Sequence, residues 1–482
     1  MSKQQQAAVK LDAIVVGAGF AGLYMLHKLR SQGYAARILE AGDGVGGTWY
    51  WNRYPGARCD VPSMEYSYAF SNELQQEWSW KERYSPQAEI MDYAKHVVER
   101  FDLAPDIQLN TRVASAHFDE DEGLWTVTTE AGEVFRAAYC VMATGCLSAA
   151  NDPKFPGRES FEGDWYHTGR WPHEGVDFTG KRTAVIGTGS SAIQAIPIIA
   201  RQAEHLYVFQ RTPNYSVPAQ NEELAPEYVA EIKAHYPEYR VDTRRNQLIA
   251  WDIKMNDKTA AEMSPEEIRA ECERRWQIGG LYFYGTFSDM LINQYANDVV
   301  SEFVRDKIRE KVDDPEVAEL LCPDSVFGCK RVCADSGYFE TYNRPNVTLV
   351  DISKTPIDEI TPAGIRVGDR TWDVDAIVSA TGFDAMTGAL DRIDIRGKGG
   401  MPLREKWSAG PRTYLGLMSA QFPNLFMMTG PGSPSVLANM ITGVEQHAEY
   451  IADLIGAANE HGWRSVEAEV GAEDEWVNVV NL

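Results

Sequence analysis

The sequence predicts an α/β protein of two Rossmann-like dinucleotide-binding domains, with a helical insertion in the second. Three observations carry that prediction. A strand, glycine turn and helix follow one another twice, at Gly17-x-Gly19-x-x-Gly22 and at Gly187-x-Gly189-x-x-Ala192. Each pattern runs on into a second short apolar strand, so each opens a βαβ unit. Downstream of the second unit, residues 220–325 are charged, rich in helix formers and nearly free of strand signals.

In chain order, residues 11–16 (LDAIVV) read as a short buried strand. A helix follows the glycine turn to about residue 32, with Leu23, Leu26 and Leu29 at helical spacing. A second strand, 36–39, ends at Glu40. Residues 119–143 alternate as strands around turns at Glu122-Gly123 and Ala131-Gly132, then close on Ala143-Thr144-Gly145. The second unit has a strand at 182–186, a helix at 192–201 and a strand at 206–209. In the insertion, Ser264-Pro265-Glu266-Glu267 is a helix start: Ser as N-cap, Pro at the first position and Glu reaching back. Trp276, Tyr282, Phe283, Tyr284 and Phe287 mark a packed face or a pocket wall there. Strands return over 346–380 and lead into Ala380-Thr381-Gly382. A strand at 425–428 and a helical pattern at 437–457 follow. The chain is therefore expected to leave its first domain and come back to it: 1–145 with 381–482 as one dinucleotide domain, 146–380 as the other.

Bulk properties exclude several functions. A chain of 482 residues with net charge −24 is ill suited to bind nucleic acid or an anionic membrane. Its seven cysteines include no C-x-x-C pair, which argues against both a disulfide framework and dithiol-disulfide reductase chemistry. Cys329 and Cys333 lack the further ligands that a zinc site needs, so no metal is expected. The polar N-terminus and the short apolar run after it fit neither a signal peptide nor a membrane span. A cytoplasmic monomer or small homo-oligomer is expected.

The two fingerprints lead into different chemistry. Gly17 permits the tight turn, Gly19 lets the backbone approach a pyrophosphate, and Gly22 allows close helix–strand packing. Glu40 stands where an acid binds a ribose. In the second unit Gln210-Arg211-Thr212 occupies that place, and an arginine there suits a 2′-phosphate. These residues point to a resident FAD and a visiting NADPH.

Three other stretches stand out. Residues 161–172 read FEGDWYHTGRWP, with Phe161, Gly163, His167, Trp171 and Pro172 as F-x-G-x-x-x-H-x-x-x-W-P. Residues 46–60 read GGTWYWNRYPGARCD, and Cys329-Lys330-Arg331 precedes GYFETYNRPN. Together these resemble the type I Baeyer–Villiger monooxygenases, over nearly the whole chain and most closely the phenylacetone- and steroid-type members. The resemblance implies FAD contacts from Gly17, Gly19, Phe20, Gly22, Glu40, Thr48, Trp49, Asp60, Tyr66, Val113 and Met440. It implies NADPH contacts from Arg58, Thr188, Gly189, Ser190, Ser191, Gln194, Arg211, Thr212 and Lys330. Arg331 and Asp60 become the catalytic pair, and Ser435, Val436, Leu437 and Met440 line the ketone pocket. Family members continue past Asp474-Glu475-Trp476 with a tail that closes over NADP; this sequence stops at Leu482.

The implied reaction is NADPH- and O2-dependent conversion of ketones to esters or lactones through a C4a-peroxyflavin, with sulfoxidation as a side activity. Arg331 would hold the negative charge and Asp60 would set its position. His167 is expected to be a hydrogen-bonded hinge rather than a base, since base roles require contact with the substrate. The rival is a flavin-containing N- or S-monooxygenase acting on amines or sulfides, which typically lacks the Trp171-Pro172 ending.

Overall fold

The computed structural model describes residues 9–245, 247–433 and 438–481, without the side chain of Leu248. Two parallel-rich sheets dominate. In the first, strands run edge to edge as Asp394–Arg396, Val113–Asp119, Leu124–Thr129, Val134–Met142, Val9–Val16, Ala36–Leu39 and Ile107–Gln108. Leu425–Met427 also pairs with Val134–Met142, in parallel. The sequence around the central strand explains its place. Ala13, Ile14 and Val15 are wholly buried, as a strand covered on both faces requires.

The helix Phe20–Ser31 covers one face, with Leu23, Leu26 and Leu29 fully buried as their spacing predicts. Each such leucine contributes roughly 1.5–3 kcal/mol of burial. The long helix Met440–Glu460 packs beside it. Elements from both ends of the chain thus share one sheet and its helical cover.

The second sheet is all parallel: Val347–Asp351, His205–Gln210, Arg182–Ile186, Ala376–Ser379 and Asp164–His167. Its last strand is the middle of the 161–172 motif. Asp164–His167, which ends on the histidine expected to act as a hinge, is an edge strand paired residue for residue with Ala376–Ser379.

Between the short strands Ser216–Pro218 and Cys333–Asp335, which pair with each other, the described residues form helices and turns. The helix Pro265–Ile278 starts as predicted: Glu267 N–H donates to Ser264 Oγ (3.3 Å) and Ser264 N–H to Glu267 Oε2 (2.7 Å). The helix Tyr236–Arg245 belongs to this insertion but docks on the first domain. Its buried Arg240 donates to Gln75 Oε1 (3.1 Å), Ser67 Oγ (2.7 Å) and the Glu65 carbonyl (2.9 Å).

Helix ends differ slightly from expectation. The helix expected at 437–457 begins at Met440, because the Asn439 side chain accepts the Ile441 N–H and fixes the start. The helix expected from residue 192 begins at Ser190, directly on Gly189. Among the described residues no helix is long and apolar enough to cross a membrane, and none of their His, Cys, Asp or Glu side chains cluster in a metal-binding group.

Candidate active site

The two glycine turns have the same construction. Gly17 has φ +105°, and a Cβ on it would lie 2.6 Å from the Ala143 carbonyl oxygen; Gly187 has φ +110°, with 2.5 Å to the Ala380 carbonyl oxygen. Each first glycine thus presses on one of the two Ala-Thr-Gly strand ends, and only glycine fits either place. A Cβ on Gly22 would meet the Gly17 oxygen at 1.8 Å, so helix and turn pack without space. A Cβ on Gly47 would lie 2.7 Å from the Gly19 Cα, whereas one on Gly189 would meet open space.

The helices on Gly19 and Gly189 have no side-chain cap and no acidic residue in their first turns. Their leading N–H groups and positive dipole ends therefore point at open cradles, an arrangement that fits the pyrophosphates of two dinucleotides. Beyond the first cradle, Glu40 is buried and takes N–H bonds from Ala18 (2.6 Å) and Gly42 (2.8 Å). Beyond the second, Thr188 Oγ1 donates to the Thr212 carbonyl (2.9 Å), and Arg211 is exposed. Lys330 is exposed as well, beside buried Val332.

Against the first cradle the chain stacks aromatics. Trp49 Nε1 donates to Tyr66 Oη (3.0 Å), and the Tyr66 ring lies 6.0 Å from that of Phe20. Thr48 is exposed at the head of the same short helix. Val113 is buried at the start of its strand.

The turn Tyr54-Pro55-Gly56 carries the first domain onto the second. Tyr54 Oη donates to Gln194 Oε1 (2.9 Å), and Gln194 Nε2 donates to the Arg58 carbonyl (3.0 Å). Gly56, at φ +83°, sits so close that a Cβ would be 2.5 Å from the Gln194 carbonyl oxygen. The Arg58 guanidinium turns away from this contact and pairs with Glu82 and the Tyr84 carbonyl.

Just past that turn, Asp60 meets Arg331. Arg331 Nε donates to Asp60 Oδ2 (2.7 Å) and Nη2 to Oδ1 (2.8 Å), a bidentate pair in which each side chain is 21% exposed. Such a fork fixes the plane of the guanidinium as well as its position. On another side the guanidinium lies over the ring of Trp251, 5.1 Å from its centroid. Burial opposes the Arg331 charge, but Asp60 more than offsets it and raises the pKa above the ordinary arginine value. Next to it, the Val332 N–H donates to Tyr284 Oη (3.1 Å), so the aromatic face of the insertion reaches the site. Asp60 and Arg331 are 271 positions apart in sequence.

The 161–172 motif stands apart from this pair. His167 is buried. Its Nδ1 accepts the Gly169 N–H (2.9 Å), which leaves the proton on Nε2 to donate to the Asn151 carbonyl (3.1 Å). Nε2 also lies 3.4 Å from Thr381 Oγ1. Burial lowers the His167 pKa and keeps the ring neutral. Gly163 has no room for a Cβ, which would lie 2.5 Å from the Asp375 carbonyl oxygen and 2.6 Å from the Phe161 ring. Trp171 is buried against Tyr166 and Phe178. Ser191 Oγ donates to Thr168 Oγ1 (3.1 Å), which joins the second cradle's helix to the motif.

A family model described as pyridine nucleotide-disulphide oxidoreductase matches residues 14–273. The chain is 44% identical over 470 residues to a Baeyer-Villiger monooxygenase of Pseudooceanicola batsensis, covering 97% of this chain and 85% of that one. The chain belongs to the Baeyer–Villiger monooxygenase family. It is also 43% identical over 469 residues to a phenazine N-monooxygenase of Lysobacter antibioticus, with 96% and 86% coverage. Among solved structures it is similar to an oxidized steroid monooxygenase bound to NADP, at TM-score 0.94 and 54% identity over 98% of this chain and 90% of that one.

Within this Baeyer–Villiger fold the expected residues divide into groups. Gly17, Gly19, Phe20, Gly22, Glu40, Trp49 and Tyr66 gather at the first cradle; Thr188, Gly189, Ser190, Ser191, Gln194 and Arg211 gather at the second. Ser435, Val436 and Leu437 lie outside the described residues. Met440 lines a cavity of about 260 Å³ with Asn439, Thr429, His447 and Arg244. His447 Nδ1 accepts the Thr429 N–H (3.0 Å), and burial pushes its pKa down to about 4. Two residues around the Arg331 site carry no signal in the sequence. Trp251 lies in the charged insertion with no periodic pattern around it, and Glu65 is one of many acids in an acidic chain.

Proposed function

We propose that the protein is an FAD-containing, NADPH- and O2-dependent monooxygenase that converts ketones to esters or lactones. The Asp60–Arg331 pair carries this reading. It sets a permanent cation, fixed by a bidentate carboxylate and an aromatic face, where the turn binding the two domains meets the insertion. Bound at the Gly19 cradle, FAD would supply the redox chemistry that links NADPH oxidation to O2, with one oxygen atom going to the ketone and the other leaving as water.

The residues of the chain supply the rest. The glycine turns and uncapped helices at Gly19 and Gly189 hold the two pyrophosphates. Glu40 is placed for the FAD ribose, and Arg211 with Lys330 for the 2′-phosphate of NADPH. Arg331 holds the negative charge that develops on oxygen as the ketone carbonyl is attacked. A guanidinium keeps its charge at every working pH, and one already oriented needs no reorganisation during the reaction. Asp60 acts on Arg331 by orienting it. His167 binds the segment leaving the first domain, at Asn151, and approaches the segment returning to it, at Thr381, so its role is that of a hinge.

Purified protein given NADPH, O2 and a panel of cyclic and aryl ketones should yield esters or lactones, read by product analysis. Arg331→Ala should abolish them while NADPH oxidation continues. Ester formation at the parental rate in that variant would overturn the reading. Similarity to an N-monooxygenase favours a second arm of the test, an aromatic N-heterocycle. N-oxide without ester would replace the ketone reading with that one.

A further inference from the structure

Trp251 comes to Arg331 on a strained turn. Ile249 and Ala250, neither of them glycine, both have positive φ (54° and 58°). A β-branched residue in that region is a conformational outlier that costs of order 1–3 kcal/mol and persists only where its surroundings enforce it. Three contacts enforce it here. The Asn439 N–H donates to the Ile249 carbonyl (3.0 Å), the Ile253 N–H to the Trp251 carbonyl (2.8 Å), and the Asp252 N–H to Glu65 Oε2 (3.1 Å).

Glu65 is the hub of this arrangement. It is 1% exposed, five positions after Asp60 on the first-domain segment. Oε1 accepts from Tyr239 Oη (2.9 Å) while Oε2 accepts from Asp252. Its own carbonyl accepts from Arg240 Nη1 (2.9 Å) and Asn439 Nδ2 (3.0 Å). One residue therefore joins the Asp60 segment, the insertion and the start of the helix Met440–Glu460.

We propose that Glu65 is a positioning residue for Arg331: its carboxylate holds the strained 249–252 turn and so keeps the Trp251 ring beneath the guanidinium. Glu65 acts through Trp251 rather than on the guanidinium itself. The proposal rests on Arg331 being the cation of the ketone reaction.

Either protonation form can hold the turn, because one oxygen accepts the Asp252 N–H while the other pairs with the Tyr239 hydroxyl, which can donate or accept. Burial, only partly opposed by the bonds from Tyr239 and Asp252 and by Arg240, pushes the Glu65 pKa up to about 7. The charged and titratable groups facing it are Arg240 and Asp252, with the hydroxyls of Tyr84, Tyr228, Tyr236, Tyr239 and Tyr282. A proton on Glu65 Oε1 turns that oxygen into a donor to Tyr239 Oη, and Oε2 still accepts the Asp252 N–H.

The test uses the FAD-loaded enzyme with NADPH and a ketone that it converts. Glu65→Ala should lower ester formed per NADPH consumed by about tenfold or more, and Glu65→Gln should recover it to within about threefold. Trp251→Leu should match Glu65→Ala, and the double variant should be no worse than either alone. Glu65→Ala that only melts earlier, with unchanged coupling, would overturn the proposal. If Glu65→Ala does not load FAD, Glu65→Asp, one methylene too short to reach both partners, replaces it: parental coupling overturns the proposal, and a loss of about tenfold that is absent in Glu65→Gln supports it. Arg331→Ala run in parallel separates the causes of failure. If that variant makes ester at the parental rate, the reading of the site fails and this inference with it. If it makes none while Glu65→Ala couples normally, the positioning inference alone fails.

Discussion

Arg331 is bound to Asp60 through two parallel hydrogen bonds of 2.7 and 2.8 Å, in a pair that is only 21% exposed on either side. The two arrive from segments 271 positions apart, so the pair exists only once both domains and the insertion have assembled. Its orientation is the part open to mutation. Asp60→Asn keeps the volume of the carboxyl group but swaps one acceptor oxygen for an N–H donor facing the guanidinium. Arg331 then loses both its charge partner and its fixed plane. Ester formation per bound FAD should fall by roughly 10²–10³-fold. Steady-state product rates on the flavin-loaded variant check this.

Arg211 and Lys330 are exposed cations, and Arg211 directly follows the strand His205–Gln210 that flanks the second cradle's strand. Their proposed target is the 2′-phosphate, which NADH lacks. Arg211→Ala should therefore raise the KM for NADPH by roughly 10–100-fold, as for the loss of a charge-assisted bond worth about 1.5–3 kcal/mol, and leave the KM for NADH near its parental value. Equal losses with both nucleotides would place the phosphate elsewhere.

Both glycine fingerprints, the buried strands before them and the helix start at Ser264 were legible because local rules specify each of them: spacing, period and capping. The Asp60–Arg331 pair was legible only through resemblance. A Lys-Arg dipeptide in a loop is ordinarily a solvated pair, and nothing local brings residue 331 to residue 60. Trp251 and Glu65 had no signal at all. Their roles come from packing between the insertion and the first domain, through Arg240 and Tyr239, and long-range packing leaves no period in a sequence. The 161–172 motif reads as a joint, yet its middle is an edge strand. Strand pairing with residues 376–379 is equally non-local.

His167 gives a prediction whose sign comes from its bonds. Its neutral ring accepts the Gly169 N–H at Nδ1 and donates from Nε2 to Asn151. Burial lowers its pKa below the ordinary histidine value. A base with a depressed folded pKa contributes stability above the unfolded pKa of about 6.5, and that stability is lost as pH falls through the folded value. His167→Gln can keep the donor to Asn151 without titrating. Its melting temperature should drop less than that of the parent as pH is lowered from 7 toward 5. Thermal melts across that range measure it, and parallel curves would remove His167 from the pH response. In the same variant NADPH should still reduce the flavin, because the hinge touches no reacting atom.

Glu65 reverses that sign. Its pKa is raised from 4.5 to about 7 by burial, so the folded protein binds a proton that the unfolded chain has released. Stability from this residue is present below about pH 4.5 and declines as pH rises toward 7. The full shift corresponds to roughly 3 kcal/mol, at about 1.36 kcal/mol for each pKa unit. Glu65→Gln has no proton to lose. Relative to the parent it should therefore be more stable at pH 8 than at pH 5, by up to that amount, in denaturant titrations at the two pH values. Ester formed per NADPH should stay within about threefold of the parent in the same substitution, because the amide still accepts the Asp252 N–H and donates to Tyr239 Oη. A Glu65→Gln protein no more stable than the parent at pH 8 would show that the carboxylate is already well accommodated, and that its burial costs nothing.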